Sequence, residues 1–136
     1  MIVIDSSVVF KWFDETEAGN ERALQILRSH LSKSNNIIVP DLILYELANA
    51  WSTKSVLKFE AIIDNLRLFK RYSLKIINVD LNFLAKAVLM SKKYSISVYD
   101  ATYAVLAKEK KCELITADKK FVEKVNLPFI KLLEKY

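Results

Sequence analysis

The chain is poor in four residue types. Its 136 residues include one Gly, one His, one Cys and two Pro. Gly19 alone cannot build a Walker loop or a dinucleotide fingerprint, both of which need several glycines for close backbone approach to phosphate. A single Cys rules out an internal disulfide and a cysteine-based zinc cage. A single His rules out paired-His metal motifs. No apolar run approaches the roughly 20 residues that span a bilayer. The opening Met1-Ile2-Val3-Ile4-Asp5 has no basic stretch and meets a carboxylate too early for a secretory leader. We therefore expect a cytoplasmic protein with no membrane contact, and the unpaired Cys112 agrees with a reducing compartment. Any chemistry must rest mainly on carboxylates, hydroxyls and amines.

What is present is an ordinary globular mix, 52% apolar and 27% charged. The length suits one domain over residues 1–136, with one core. The formal net charge of +5 allows a polyanionic partner without establishing one.

Short β-branched runs alternate with longer helical patterns. Ile2-Val3-Ile4 reads as a strand ending at Asp5. A helix is expected over about Glu17–Ser32, with Leu24, Leu27 and Leu31 on one stripe. Ile37-Ile38-Val39 is the next strand, stopped by Pro40, and Asp41 is placed to cap a helix through Glu46 to about Thr53. Val56, Phe59, Ile62, Ile63, Leu66 and Phe69 recur at helical spacing. Lys75 to Val79 is a third strand, and Asp80 can cap a helix from Leu81 to about Tyr94. Val98–Lys110 reads as helix, Glu113–Thr116 as strand, Lys119–Val125 as a short helix and Phe129-Ile130 as a weak fifth strand. This alternation predicts an α/β fold with a mainly parallel sheet of four to five strands, covered by helices on both faces.

Ligands of such sheets bind beyond the carboxyl ends of the strands. Asp5 follows the first strand, and Asp118 lies two places beyond Thr116 at the end of the fourth. Glu46 is one to two turns into the helix after the second strand, and Asp100 is near the start of the helix before the fourth. Convergence of these acids would be unfavourable alone, since like charges at ~4 Å repel by about 4 kcal/mol at an effective dielectric of 20. Either some carboxylates take up protons or a cation sits among them. An all-oxygen set suits Mg²⁺ or Mn²⁺, and metal-assisted phosphodiester hydrolysis is the natural chemistry.

At these residues the sequence resembles a known family. Asp5-Ser6-Ser7, Pro40-Asp41-Leu42-Ile43-Leu44-Tyr45-Glu46, Tyr99-Asp100-Ala101 and Ile115-Thr116-Ala117-Asp118-Lys119-Lys120-Phe121 look like the blocks of PIN domains, in order and over nearly the whole chain. They look most like the small ribonuclease toxins of VapBC toxin–antitoxin modules. The resemblance implies a three-layer α/β/α domain and a Mg²⁺- or Mn²⁺-dependent endoribonuclease. It places the metal on Asp5, Glu46, Asp100 and Asp118, with Ser6 and Thr116 orienting ligands beside the first and last acids. It also implies an RNA substrate, a homodimer and a small antitoxin partner that blocks the site.

Plainer readings stand beside these. Asp5 and Asp118 can be helix caps, and Glu46 a solvated helix residue. Asp41 and Asp80 are read as caps, and Asp14, Glu15 and Glu17 as the solvated start of a helix. His30 is expected at the surface, Cys112 as a small apolar filler, and Trp12 and Trp51 in the core or an interface. Tyr99 and Tyr103, one turn apart, are the best candidates for an interface stripe. Lys11, Lys54, Lys119 and Lys120 flank the acid-bearing segments and are candidates for holding phosphate, although plain surface lysine is the better reading of each alone. The competing function is a catalytically silent PIN-like module that binds RNA or protein. A phosphatase with an aspartyl nucleophile wants a second Asp where Ser7 stands, and a phospho-accepting receiver wants paired acids after the first strand.

Overall fold

The computed structural model describes all 136 residues. Five strands form one sheet: β1 (Ile2–Ile4), β2 (Ile37–Pro40), β3 (Lys75–Ile77), β4 (Glu113–Thr116) and β5 (Ile130–Leu132). Every pairing is parallel, and the order across the sheet is β3-β2-β1-β4-β5. The helices are α1 (Ser6–Phe10), α2 (Asn20–Leu31), α3 (Leu42–Thr53), α4 (Phe59–Arg71), α5 (Leu81–Tyr94), α6 (Val98–Lys110) and α7 (Lys119–Val125). The chain steps outward from β1 to β3, then crosses back to β4 and β5. Right-handed crossovers therefore set α1 to α4 on one face and α5 to α7 on the other, a three-layer α/β/α arrangement.

Burial follows position in the sheet. Ile2, Val3, Ile4, Ile37, Ile38, Val39, Leu114 and Ile115 are all buried, because these inner strands are covered on both faces. The edges are mixed. β3 exposes Lys75 and Ile76, while β5 buries Ile130 and Leu132 and turns Lys131 outward. The Trp51 indole meets the Phe10 and Phe13 rings edge-on at 5.9 and 4.9 Å. Buried Trp12 donates its ring N–H to the Ala23 carbonyl at 2.8 Å. Both tryptophans are thus core residues.

Several local expectations change. The five-residue helix α1 is too short to show a period in sequence. α2 starts at Asn20 because Gly19 before it takes φ +82, a left-handed conformation. α4 starts at Phe59, and Val56 is fully exposed in the preceding loop. Asp41 is not a side-chain cap: its backbone is already helical, and its N–H donates to the Ile77 carbonyl at 2.9 Å, prolonging the β2–β3 ladder. Asp80 does cap α5, accepting from Phe83 N–H at 2.8 Å. His30 is a half-buried strut rather than a surface residue. Its Nδ1 accepts from Ile37 N–H at 3.1 Å, which leaves Nε2 as the donor to the Tyr72 carbonyl at 2.9 Å.

Candidate active site

The strand order reverses direction at β1 and β4, so the crevice beyond their carboxyl ends is the expected ligand site. Asp5 leaves β1 there and caps α1. It is 5% exposed, and hydroxyls hold both of its carboxylate oxygens. Ser7 Oγ donates to Oδ1 at 2.5 Å, and Thr116 Oγ1 donates to Oδ2 at 2.5 Å. Val8 N–H adds a longer contact to Oδ1 at 3.4 Å. Burial nevertheless raises the Asp5 pKa from 3.8 to about 6; the hydrogen bonds from Ser7, Thr116 and Val8 oppose the rise, and the nearby Asp100 charge adds to it.

Glu46 reaches the same crevice from the second turn of α3. Tyr103 donates its phenol O–H to Oε1 at 2.5 Å, and Ser6 Oγ donates to Oε2 at 3.1 Å. Burial raises the Glu46 pKa, opposed by these two hydroxyls, and Asp100 again adds to the rise. Asp100 sits in the first turn of α6, where Ser97 Oγ accepts its backbone N–H at 3.0 Å. Its own pKa is raised by burial, opposed by Ser97 and increased by Asp118. Asp118 is the exposed member and caps α7, accepting from Phe121 N–H at 3.0 Å. Thr116 links the two ends of the site, because its Oγ1 also accepts Asp118 N–H at 3.0 Å.

Asp100 is thus the electrostatic hub. Its charge presses on Asp5 and Glu46, and Asp118 presses on it. Hydroxyls and one backbone N–H are their hydrogen-bond partners, and none of the three makes an ion pair with a lysine or arginine. By type the donors are hard oxygens suited to Mg²⁺ or Mn²⁺. They gather loosely, for no three His, Cys, Asp or Glu side chains stand close enough to enclose one ion.

The flanking cations behave differently from one another. Lys11 is turned inward, its ammonium donating to the Ala18 carbonyl at 2.7 Å and to Glu17 at 3.2 Å, so it is not free for phosphate. Lys119 faces Glu123 at 3.7 Å on the surface. Lys54 has no ion-pair partner and lines a cavity with Glu46.

A family model for the PIN domain matches residues 2–126. The chain belongs to the PIN-domain family. Solved structures share the fold at low identity. A toxin–antitoxin complex from Klebsiella pneumoniae aligns with TM-score 0.72 and 16% identity, over 98% of this chain and 98% of that one. VapC20 of Mycobacterium tuberculosis, described as a sarcin–ricin loop cleaving toxin, aligns with TM-score 0.69 and 15% identity, over 90% and 94%. VapBC2 of Rickettsia felis, bound to promoter DNA, aligns with TM-score 0.70 and 21% identity, over 97% of each chain. No curated protein sequence matches the chain significantly.

In this PIN domain Asp5, Glu46, Asp100 and Asp118 lie along one carboxyl edge, with Asp100 near each of the other three. Two supports differ from the sequence reading. Ser6 holds Glu46 rather than Asp5, and the hydroxyl on Asp5 is that of Ser7. Tyr103 is no interface residue: it is 1% exposed and braces Glu46. The signal for it was present, since Tyr103 lies three residues after Asp100 and so shares its helix face.

Proposed function

We propose that this PIN domain is a Mg²⁺- or Mn²⁺-dependent endoribonuclease and the toxin of a toxin–antitoxin pair. The observation that carries the reading is that Asp5 and Glu46, each braced by two hydroxyls, stand beyond the strand ends with Asp100 nearby and no ion-pairing lysine or arginine. A partly buried carboxylate cluster of this kind favours a bound cation or a shared proton. Asp5, Glu46, Asp100 and Asp118 are the donors from which the ion would draw its carboxylate ligands. Mg²⁺ keeps several waters and takes one or two carboxylates directly, so loosely gathered acids suit it. When bound, the ion supplies Lewis-acid stabilisation of phosphoryl charge and activates water for in-line attack.

The chain's own groups set the stage. Ser7 and Thr116 fix both oxygens of Asp5, and Tyr103 and Ser6 fix both oxygens of Glu46. Fixed carboxylates need no reorganisation when charge develops at phosphorus. The basic remainder of the chain suits a polyanion. The toxin–antitoxin neighbours support an antitoxin partner, which would close the site, and a homodimer would complete the assembly.

The test is incubation of the purified chain with labelled single-stranded RNA in Mg²⁺, in Mn²⁺ and in EDTA. Cleavage with either metal and none in EDTA is expected. A gel shift in Mn²⁺ without any cleavage would instead establish the silent binding module. Expression of the wild type should arrest bacterial growth, whereas Asp5→Asn should not.

A further inference from the structure

Beside the acid cluster lies a cavity of about 450 Å³ that the hydrolytic chemistry does not use. Ser6 and Glu46 form the wall it shares with the cluster. On α3, Leu42, Tyr45, Glu46 and Asn49 repeat at helical spacing, so one face of that helix runs from the acid site along the cavity. Phe10 adds an apolar surface, and Tyr99 enters from the first turn of α6, next to Asp100. Tyr45 is 76% exposed and Tyr99 61% exposed. Neither ring packs against another aromatic ring, unlike Phe10, Trp12, Phe13, Trp51 and Tyr72.

We propose that this cavity is a nucleobase subsite, taking the unpaired base of the nucleotide next to the scissile phosphate. The proposal rests on the ribonuclease reading. Two open tyrosine faces offer stacking, which tolerates any base and is the usual means of holding single-stranded RNA. The exposed Asn49 amide supplies both a donor and an acceptor for a base edge. Lys54, the only cation lining the cavity and free of any ion pair, suits the following phosphate. A bare phosphate would leave the apolar walls unused, and a basic side chain would meet Lys54. Because the cavity shares Glu46 with the acid cluster, a strand seated there would carry its adjoining phosphodiester to the acids.

Binding is measured by fluorescence anisotropy on the full chain. The probe is a labelled single-stranded RNA, with Ca²⁺ replacing Mg²⁺ and the RNA checked intact afterwards. Tyr45→Ala and Tyr99→Ala should each weaken binding about tenfold, within the range of base–aromatic stacking. Tyr45→Phe and Tyr99→Phe should restore it, because the stacking face remains. Lys54→Ala should weaken binding of all RNAs and flatten the salt dependence. The exposed positions leave the melting temperature unchanged, which a thermal melt verifies. Alanine variants that bind like wild type overturn the subsite, and if the wild type still cleaves RNA the nuclease reading survives. Tyrosine-dependent binding by a wild type that never cleaves overturns the nuclease reading and leaves the cavity a base-binding site with no scissile phosphate beside it. Tyrosine variants that release a protein partner while binding RNA normally also overturn it, and reassign the cavity to that partner.

Discussion

Without metal, the protein should become less stable as Asp5 loses its proton. In the folded state Asp5 titrates near pH 6 rather than at its ordinary 3.8, chiefly because it is buried. A raised carboxyl pKa means that the folded state binds the proton more tightly than the unfolded chain. Its stabilising contribution is complete below about pH 4 and is lost as the pH rises through about 6. At about 1.4 kcal/mol for each tenfold change in proton affinity, the gap is worth on the order of 3 kcal/mol. Asp5→Asn has no such titration, and its amide can still meet the Ser7 and Thr116 hydroxyls. Glu46 and Asp100 shift in the same direction, but they are present in both proteins. Urea unfolding in EDTA from pH 4 to pH 7.5 should therefore show the wild type falling relative to the variant by on the order of 3 kcal/mol. Mg²⁺ at about a hundredfold excess over its Kd should return about 2.7 kcal/mol to the wild type at pH 7.5. The variant should recover much less. Parallel stability curves in EDTA would refute the reasoning, because burial would then not be pressing on the Asp5 charge.

Other perturbations test the supports. Tyr103→Phe removes a hydrogen bond that favours ionised Glu46, so the acid limb of the cleavage profile should move to higher pH, read from rates between pH 5 and 8. Thr116→Val removes the hydroxyl joining Asp5 to the Asp118 backbone and should cost about 1.5–3 kcal/mol in urea unfolding, while Thr116→Ser should largely recover it. Leu47→Ala empties a fully buried position on the inner face of α3 and should cost about 2–5 kcal/mol; a loss below 1 kcal/mol would mean that α3 is not anchored as described.

The fold was legible where a period and a boundary signal agreed. Asp80 before Leu81–Tyr94 and Asp118 before Lys119–Val125 mark helix starts that the structure keeps to the residue. The inner strands were legible because burial on both faces leaves an unbroken β-branched run, as in Ile37-Ile38-Val39. α1 was not, since five residues carry no period. At the site, the acids were legible from their places after strands and near helix starts, and so was the Thr116 hydroxyl beside Asp5 and Asp118, but the Ser7 support was not. Whether Ser6 or Ser7 meets Asp5 depends on how α1 turns away from β1. Lys11 reads as an open cation until the turn before α2 folds Glu17 and the Ala18 carbonyl over it. Tyr99 and Tyr103 look alike in sequence, yet α6 is buried from Ala101 to Ala107, which separates an open ring from an enclosed one.

The most direct test of whether the acid cluster holds a cation is the rate of RNA cleavage against Mg²⁺ concentration, for wild type and for Asp100→Asn matched in thermal melt. The account predicts saturable cleavage by the wild type, none in EDTA, and a rate lower by about a hundredfold or more in the variant, as expected when a preorganised electrostatic group is lost. Cleavage by Asp100→Asn at the wild-type rate and the same Mg²⁺ midpoint would contradict it.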